Sequence, residues 1–351
     1  MKRKKFLIIT DAWKPQVSGV ITVLEKLISG IKKLGNEVIV INPTMFTTMP
    51  LPTYKEIELA VFPNAKIKKI ISEEKPDYIH IATEGTLGIA GIMVCKQLGY
   101  KYTTAYHTKL PEYVNLRTKI PVKWGDKAMK YFHKKSSRVL VSTYTMKKEL
   151  EEKGFKNLRV YPLGVDTKKF KHKQKICLNL PKPVFCYMGR VAIEKSIEDF
   201  LKLDLPGSKL IIGDGPQREE LEKKYPEANF VGYKKGQELV NLLSASDVFV
   251  FPSKTDTFGL VILEAMACGL PVAAYNVLGP KDIITNGYDG YTGEDLQKCA
   301  LECLKIEKNN PLKTANNYSW DNMVKRFIAY QVINKKKKCK KSLIHKLLNL
   351  S

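Results

Sequence analysis

Short, uninterrupted apolar runs recur along the chain, separated by stretches of helical periodicity. Phe6 to Thr10 reads as a first buried strand, Ile21 to Leu34 as an amphipathic helix stopped by Gly35, and Val38 to Ile41 as a second strand. Apolar runs without alternation suit strands covered on both faces, which predicts parallel sheets flanked by helices. The rhythm continues through helix Ala65 to Glu74, strand Tyr78 to Ile81, the nearly uncharged helix Leu87 to Leu98 and strand Tyr102 to Tyr106. Basic helix Trp124 to Lys135, strand Val139 to Ser142 and helix Met146 to Glu152 follow. Residues 44–64, rich in Pro and Thr, read as an irregular lip.

After a basic linker holding His172, Pro181 and Pro183, the alternation restarts. Strand Val184 to Met188, strand Leu210 to Ile212, helix Gln217 to Lys224, strand Asn229 to Val231 and helix Gln237 to Ala245 lead to strand Val248 to Phe251. The pattern then predicts a helix over Thr257 to Cys268, stopped by Gly269 and Pro271, and a strand from Val272 to Tyr275. Helix Glu294 to Ile306 closes this series, and Tyr318-Ser319-Trp320 opens a last helix to about Asn334.

Composition bounds the function. At 351 residues the chain can build two domains with separate cores. Its 59 Lys and Arg against 35 Asp and Glu give a net charge of +24, so anionic surfaces, polyanions or phosphorylated ligands attract it. No recognised nucleic-acid module or aromatic-basic cluster accompanies the charge, so no specific nucleic-acid partner is expected. Seven cysteines without a Cys-x-x-Cys pair suit a reducing compartment, and Cys299 with Cys303 suits packing at helical spacing. The start imitates a signal peptide, but its apolar core is only Phe6 to Ile9 before Asp11. No apolar run has transmembrane length. These features predict a cytoplasmic protein associated peripherally with the inner face of the cell membrane.

Chemistry concentrates between Asp247 and Asn276. Asp256 and Glu264 are the only carboxylates between Asp247 and Asp282. On the predicted helix they fall within roughly 80° of one face and roughly 12 Å apart along the axis. The N–H groups of Thr257, Phe258 and Gly259 at the expected helix start would face an anion, and Gly259 would let a ligand approach the main chain. Two carboxylates flanking an anion site suit a nucleotide-sugar. The opening βαβ lacks Gly-x-Gly-x-x-Gly, so no dinucleotide fingerprint is present. Tyr144-x-x-x-Lys148 has the spacing of a dehydrogenase pair by coincidence.

The segment Asp256-Thr-Phe-Gly-Leu-Val-x-Leu-Glu264-Ala-Met-Ala-Cys-Gly-Leu-Pro resembles the acidic-x7-acidic signature of retaining glycosyltransferases of family 4, which have the GT-B fold. The detailed match is most similar to the branch of diacylglycerol and membrane-lipid glycosyltransferases and α-mannosyltransferase-like members. Asp256 stands where the family usually has Glu, and Ser18 where its glycine loop usually has a first glycine before Gly19. The resemblance implies an α/β protein of two Rossmann-like domains facing a cleft: residues 1–165 on the acceptor side and 166–317 binding the nucleotide-sugar. Residues 318–351 would form a cross-over helix and a basic amphipathic tail.

The same resemblance implies roles by position. Asp256 and His107 would orient the donor sugar, Arg190 and Lys195 clamp the diphosphate, and Glu264 hold the ribose hydroxyls. Gly19 would approach the diphosphate. Asp214 of Gly-Asp-Gly-Pro, Gly232 and Tyr233 of the base-holding turn, and Thr257, Phe258, Gly259 and Leu260 would complete the donor site. The implied activity is retaining transfer of a hexose-type sugar from a UDP- or GDP-linked donor to a membrane lipid such as diacylglycerol. No Asp-x-Asp motif is present, so neither a metal nor another cofactor is expected. Alternatives are transfer to a lipopolysaccharide or polysaccharide intermediate, a non-catalytic nucleotide-sugar-binding remnant, or a nucleic-acid-binding protein. In the tail, a Lys cluster precedes Leu343, Ile344, Leu347, Leu348 and Leu350 on one helical stripe, which suits an anionic bilayer surface.

Overall fold

A computed structural model describes residues 3–16, 18–51, 54–171 and 178–334. The first sheet holds β1 (Lys5–Ile9), β2 (Glu37–Ile41), β5 (Tyr78–Ile81), β6 (Thr103–Ala105), β7 (Val139–Val141) and β8 (Leu158–Val160). Between β2 and β5, β3 (Thr48–Leu51) and β4 (Tyr54–Ala60) form an antiparallel hairpin. Within the stretch 44–64, expected to be irregular, Thr48–Leu51 and Tyr54–Ala60 thus pair as strands. Pro50 is tolerated in its strand because this is a separate two-stranded sheet with open edges.

The second sheet holds β9 (Val184–Met188), β10 (Ser208–Ile212), β11 (Asn229–Gly232), β12 (Val248–Phe251), β13 (Val272–Tyr275) and β14 (Gly290–Gly293). The strand orders are β2-β1-β5-β6-β7-β8 and β11-β10-β9-β12-β13-β14, with every pairing in the two sheets parallel. Burial explains the unalternating runs: Val184 to Met188 and Val248 to Phe251 are buried at every position.

The helix Trp320–Tyr330 returns to the first domain. Ser319 caps it by accepting from Asn322 N–H, and buried Met323, Val324 and Phe327 seat it. Beyond its end, the Gln331 carboxamide accepts from the Thr103 hydroxyl at 2.9 Å and Asn334 bonds the backbone of Lys101. The helix is shorter than the periodicity suggests. The proposed tail, 335–351, lies outside the described residues, as does the linker around His172.

The loops around the cleft also differ from the sequence pattern. The helix of the acidic pair spans Leu260–Ala267, not Thr257 to Cys268. Asp256 thus sits on a loop, and the one-face geometry does not hold. A helix at Leu110–Thr118 follows His107, in a segment to which the periodicity assigns no element. Short helices at Ile197–Leu201, Pro280–Ile283 and Asn309–Asn316 carry too little periodicity to show in the sequence.

Candidate active site at the cleft

The carboxyl ends of β9, β10 and β11 are knitted through their main chains. Gly189 N–H donates to the Ile212 carbonyl at 3.0 Å, Gly213 N–H to Gly232 at 2.9 Å, and Val191 N–H to Asp214 at 2.9 Å. At Gly213 a Cβ would stand 1.8 Å from the Gly189 carbonyl oxygen, so only glycine permits this approach. The Gly-Asp-Gly motif is thus needed by the scaffold itself. Asp214 uses one carboxylate oxygen on Gly215 N–H at 2.8 Å and the other on Arg218 at 3.1 Å. Tyr233, just past β11, is exposed.

This scaffold presents Arg190 directly after β9, where the Tyr187 hydroxyl donates to the Arg190 carbonyl at 2.9 Å. The same turn leads to Lys195, whose ammonium lies 2.6 Å from Asp256, both side chains being 19% exposed. Burial pulls the Lys195 pKa down, but the facing charges, Asp256 foremost, more than offset it and hold the ammonium well above its ordinary value. The second Asp256 oxygen is buried without a protein hydrogen-bond partner. Two residues expected to have separate roles are therefore one ion pair.

The following loop is clasped by the first domain. The Thr257 hydroxyl donates to the His107 carbonyl, and the Ser142 hydroxyl donates to the Thr257 carbonyl at 3.1 Å. These acceptor and donor groups follow β6 and β7, so the carboxyl ends of both sheets face one cleft. His107 is half-buried, with Nε2 3.4 Å from the Tyr161 hydroxyl, and burial pushes its pKa down to about 4. It is neutral at physiological pH, suited to hydrogen bonding rather than to charge pairing.

Phe258 points its ring into the core, edge-on to Tyr318 at 6.1 Å between centroids, so only its main chain remains for a ligand. Gly259, at φ +84°, turns the chain into the helix and provides no side-chain cap. The uncapped N–H groups accordingly begin at Leu260 and Val261, not at Thr257. A Cβ at Gly19 would meet Leu260 at 3.5 Å, so the first residues of two helices, one per domain, face each other. Each helix start carries a partial positive charge, which favours an anion there. Ser18 caps its own helix, accepting from Ile21 N–H at 3.4 Å.

Glu264 is half-buried farther along its helix. Burial pushes its carboxyl up to about 7, with Lys169 and Lys26 pulling the other way. Lys26 itself bonds Asp166 at 2.8 Å.

The cleft gathers His107, Lys195, Asp256, Thr257, Leu260 and Gly19, with Arg190 on the adjoining turn and Glu264 deeper. Asp214 and Tyr233 lie on the exposed β10–β11 side. Sequence reasoning missed Arg117 and Glu194, which pair across the domains, and gave Tyr113 no role although its neighbours include Asp256 and Lys195. Their signal was the four-residue spacing of Tyr113 and Arg117, hidden because the periodicity assigns that segment no element. Among the described residues, no group of three or more His, Cys, Asp or Glu is placed to hold a metal ion.

Two six-stranded parallel sheets meeting at their carboxyl ends across one cleft form the GT-B architecture. Residues 17–169 match the domain described as Glycosyltransferase Family 4, and residues 168–319 that of Glycosyl transferases group 1. The chain is 32% identical over 310 residues to a sulfoquinovosyl transferase of Arabidopsis thaliana, aligning over 79% of its own length and 60% of that relative's. It is 27% identical over 317 residues to an alpha-monoglucosyldiacylglycerol synthase of Acholeplasma laidlawii, covering 76% and 78% of the two chains. The solved structure of Anabaena HepE in complex with UDP and glucose superposes with a TM-score of 0.68 at 15% identity, covering 93% of this chain and 99% of the other. The chain belongs to glycosyltransferase family 4.

Proposed function

We propose that the protein transfers a hexose from a UDP- or GDP-linked sugar to a membrane lipid such as diacylglycerol, with retention at the anomeric carbon. The observation that carries this reading is the convergence of Arg190, the Lys195–Asp256 pair and the Leu260 helix start opposite His107. Arg190 and Lys195 would hold the diphosphate at the uncapped helix end. As the glycosidic bond breaks, charge grows on the departing phosphate, so fixed cations there stabilise the transition state more than the ground state. Asp256 and neutral His107 would orient the sugar hydroxyls, and Glu264 would accept from the ribose.

In a front-face displacement the acceptor oxygen bonds to the anomeric carbon while the carbon–oxygen bond to phosphate breaks. The acceptor proton passes to the leaving phosphate oxygen, and no protein nucleophile is required.

Names of relatives support the lipid acceptor: one is an alpha-monoglucosyldiacylglycerol synthase. A peripheral position at an anionic bilayer is supported by the helix Val122–His133. It exposes Trp124 and Tyr131, 70% and 82% accessible, among exposed Lys123, Lys127 and Lys130. No described helix is long and apolar enough to cross a membrane. Purified protein incubated with each common UDP- or GDP-sugar and diacylglycerol vesicles tests the reading. Product analysis by NMR should show an α-linked glycolipid. A β-linkage, or transfer only to soluble glycans, would overturn it.

A further inference from the structure

The helix Leu110–Thr118 belongs to the first domain yet reaches the chemistry of the second. Arg117 Nη2 lies 2.7 Å from Glu194 Oε2, with the side chains 21% and 4% exposed. A carboxylate so deeply buried needs a fixed cation, because desolvation penalises it otherwise. Glu194 is also the centre of the donor-side loops. Its carbonyl accepts from the Ser253 and Thr255 hydroxyls at 3.3 and 3.0 Å, and Lys195 immediately after it holds Asp256. Tyr113 lies one turn before Arg117 on the same helix face.

We propose that Arg117 is a positioning residue which, by clamping Glu194 across the cleft, sets the turn that holds Lys195 against Asp256. The acceptor-side helix thereby fixes donor-site geometry. The inference rests on the transferase reading for its kinetic consequence but not for its structural one. Arg117 acts here through Glu194, which has no proposed contact with the donor, so its loss should act on turnover more than on nucleotide affinity. Displacement of this helix would release Glu194 and loosen the Lys195–Asp256 pair. The proposed reaction would then be favoured only with the two domains closed.

The test uses the full chain and the variants Arg117→Ala, Arg117→Lys and the exchanged pair Arg117→Glu with Glu194→Arg. Spin labels on the two domains report closure without any substrate, and calorimetry with UDP and GDP reports nucleotide affinity. In Arg117→Ala the inter-domain distance distribution should broaden, kcat should fall 10- to 100-fold by the scale of a misplaced catalytic geometry, about 100-fold, and nucleotide Kd should change less than about threefold. Arg117→Lys and the exchanged pair should recover part of both the distribution and kcat. Unchanged distance distributions in a folded Arg117→Ala would overturn the proposal, whatever the activity. Equal losses of nucleotide affinity and kcat would also overturn it, by making Arg117 part of the donor site. If the wild type transfers no sugar but the distribution broadens, the latch stands and the proposed reaction fails.

Discussion

Each sheet has one strand where the topology reverses, and the two places have opposite fates. β1 lies between β2 and β5, and β9 lies between β10 and β12. Ligands of open parallel sheets bind outside the carboxyl ends of the strands at such points. In the first domain the chain fills the place itself. The Asp11 carboxylate, just after β1, accepts from Leu87 N–H at 2.8 Å, Gly88 N–H at 3.3 Å and the Thr83 hydroxyl at 2.8 Å. It therefore occupies the N-terminus of helix Thr86–Leu98 as a bound anion would. Burial raises its pKa above the ordinary carboxylate value, with those donors pulling it back.

In the second domain no side chain caps the helix Leu260–Ala267, and Lys195 pairs with Asp256 on the loop that leads into it. The same structural element is thus closed by the chain in one domain and left uncapped in the other, where the proposed function places the donor phosphate. The difference is whether the chain supplies its own anion.

The sharpest way to break this comparison is at the second-domain cations. Arg190→Ala should lower kcat by about 100- to 1,000-fold, the usual cost of removing one preorganised charge stabiliser. Lys195→Ala should do the same and also destabilise the fold, since it leaves Asp256 without its cation. Replacing both partners by apolar residues, Lys195→Met with Asp256→Leu, should recover most of the stability and none of the activity. Urea melts beside steady-state assays distinguish the two losses. Full activity in Arg190→Ala would remove the functional half of the comparison.

The first-domain carboxylate should behave oppositely. Asp11→Ala leaves Leu87 and Gly88 N–H groups without acceptors and should cost about 1–3 kcal/mol of stability. Nucleotide affinity should be unchanged, because the fold consumes this helix end internally. A loss of UDP or GDP binding in folded Asp11→Ala protein would show that both reversal points serve the ligand.

Glu264 sharpens the second half through pH. Its carboxyl is raised to about 7, so the ionised form that would accept from ribose accumulates above that value. Affinity for a UDP- or GDP-sugar should rise about tenfold between pH 6 and 8 and become flat in Glu264→Gln. Stability runs the other way. A folded-state pKa above the unfolded value means that the wild type loses stability as pH climbs from the ordinary carboxylate range through about 7. Glu264→Gln should not show this loss. Calorimetry and thermal melts across that range check both signs.

The smallest effect concerns the periphery. Each Lys near an anionic surface contributes about 1 kcal/mol, falling off within a Debye length of about 8 Å. Removal of residues 335–351 should weaken vesicle binding and raise the apparent KM for lipid a few-fold, leaving donor affinity untouched. Trp124→Ala should weaken vesicle binding with less dependence on salt. Sedimentation at low and high salt separates the two, and equal binding by all forms would leave the bilayer without a contact surface on this protein.

Much of this architecture is legible from local pattern. Unalternating runs such as Val184 to Met188 predict parallel strands because burial on both faces forbids polar residues at either parity. The acidic pair and Gly-Arg after a strand also mark the donor side, since loops at strand ends carry chemistry. Other features have no local record. The start of the helix at Leu260 depends on Gly259 turning at φ +84° and Phe258 burying its ring against Tyr318, a residue far along the chain. The hairpin at Thr48–Ala60 and the helix at Leu110–Thr118 likewise gain definition from packing rather than periodicity.

The sequence by itself determined two α/β units, their family and the residue types at the cleft, because short-range patterning and motif spacing are written along the chain. Tertiary structure alone decided the partners. Lys195 meets Asp256, Arg117 meets Glu194 across the cleft, and Asp11 closes one anion site while Leu260 leaves the other uncapped. Those outcomes depend on distances between segments remote in sequence and on how burial reprices each charge, and neither quantity exists until the chain has folded.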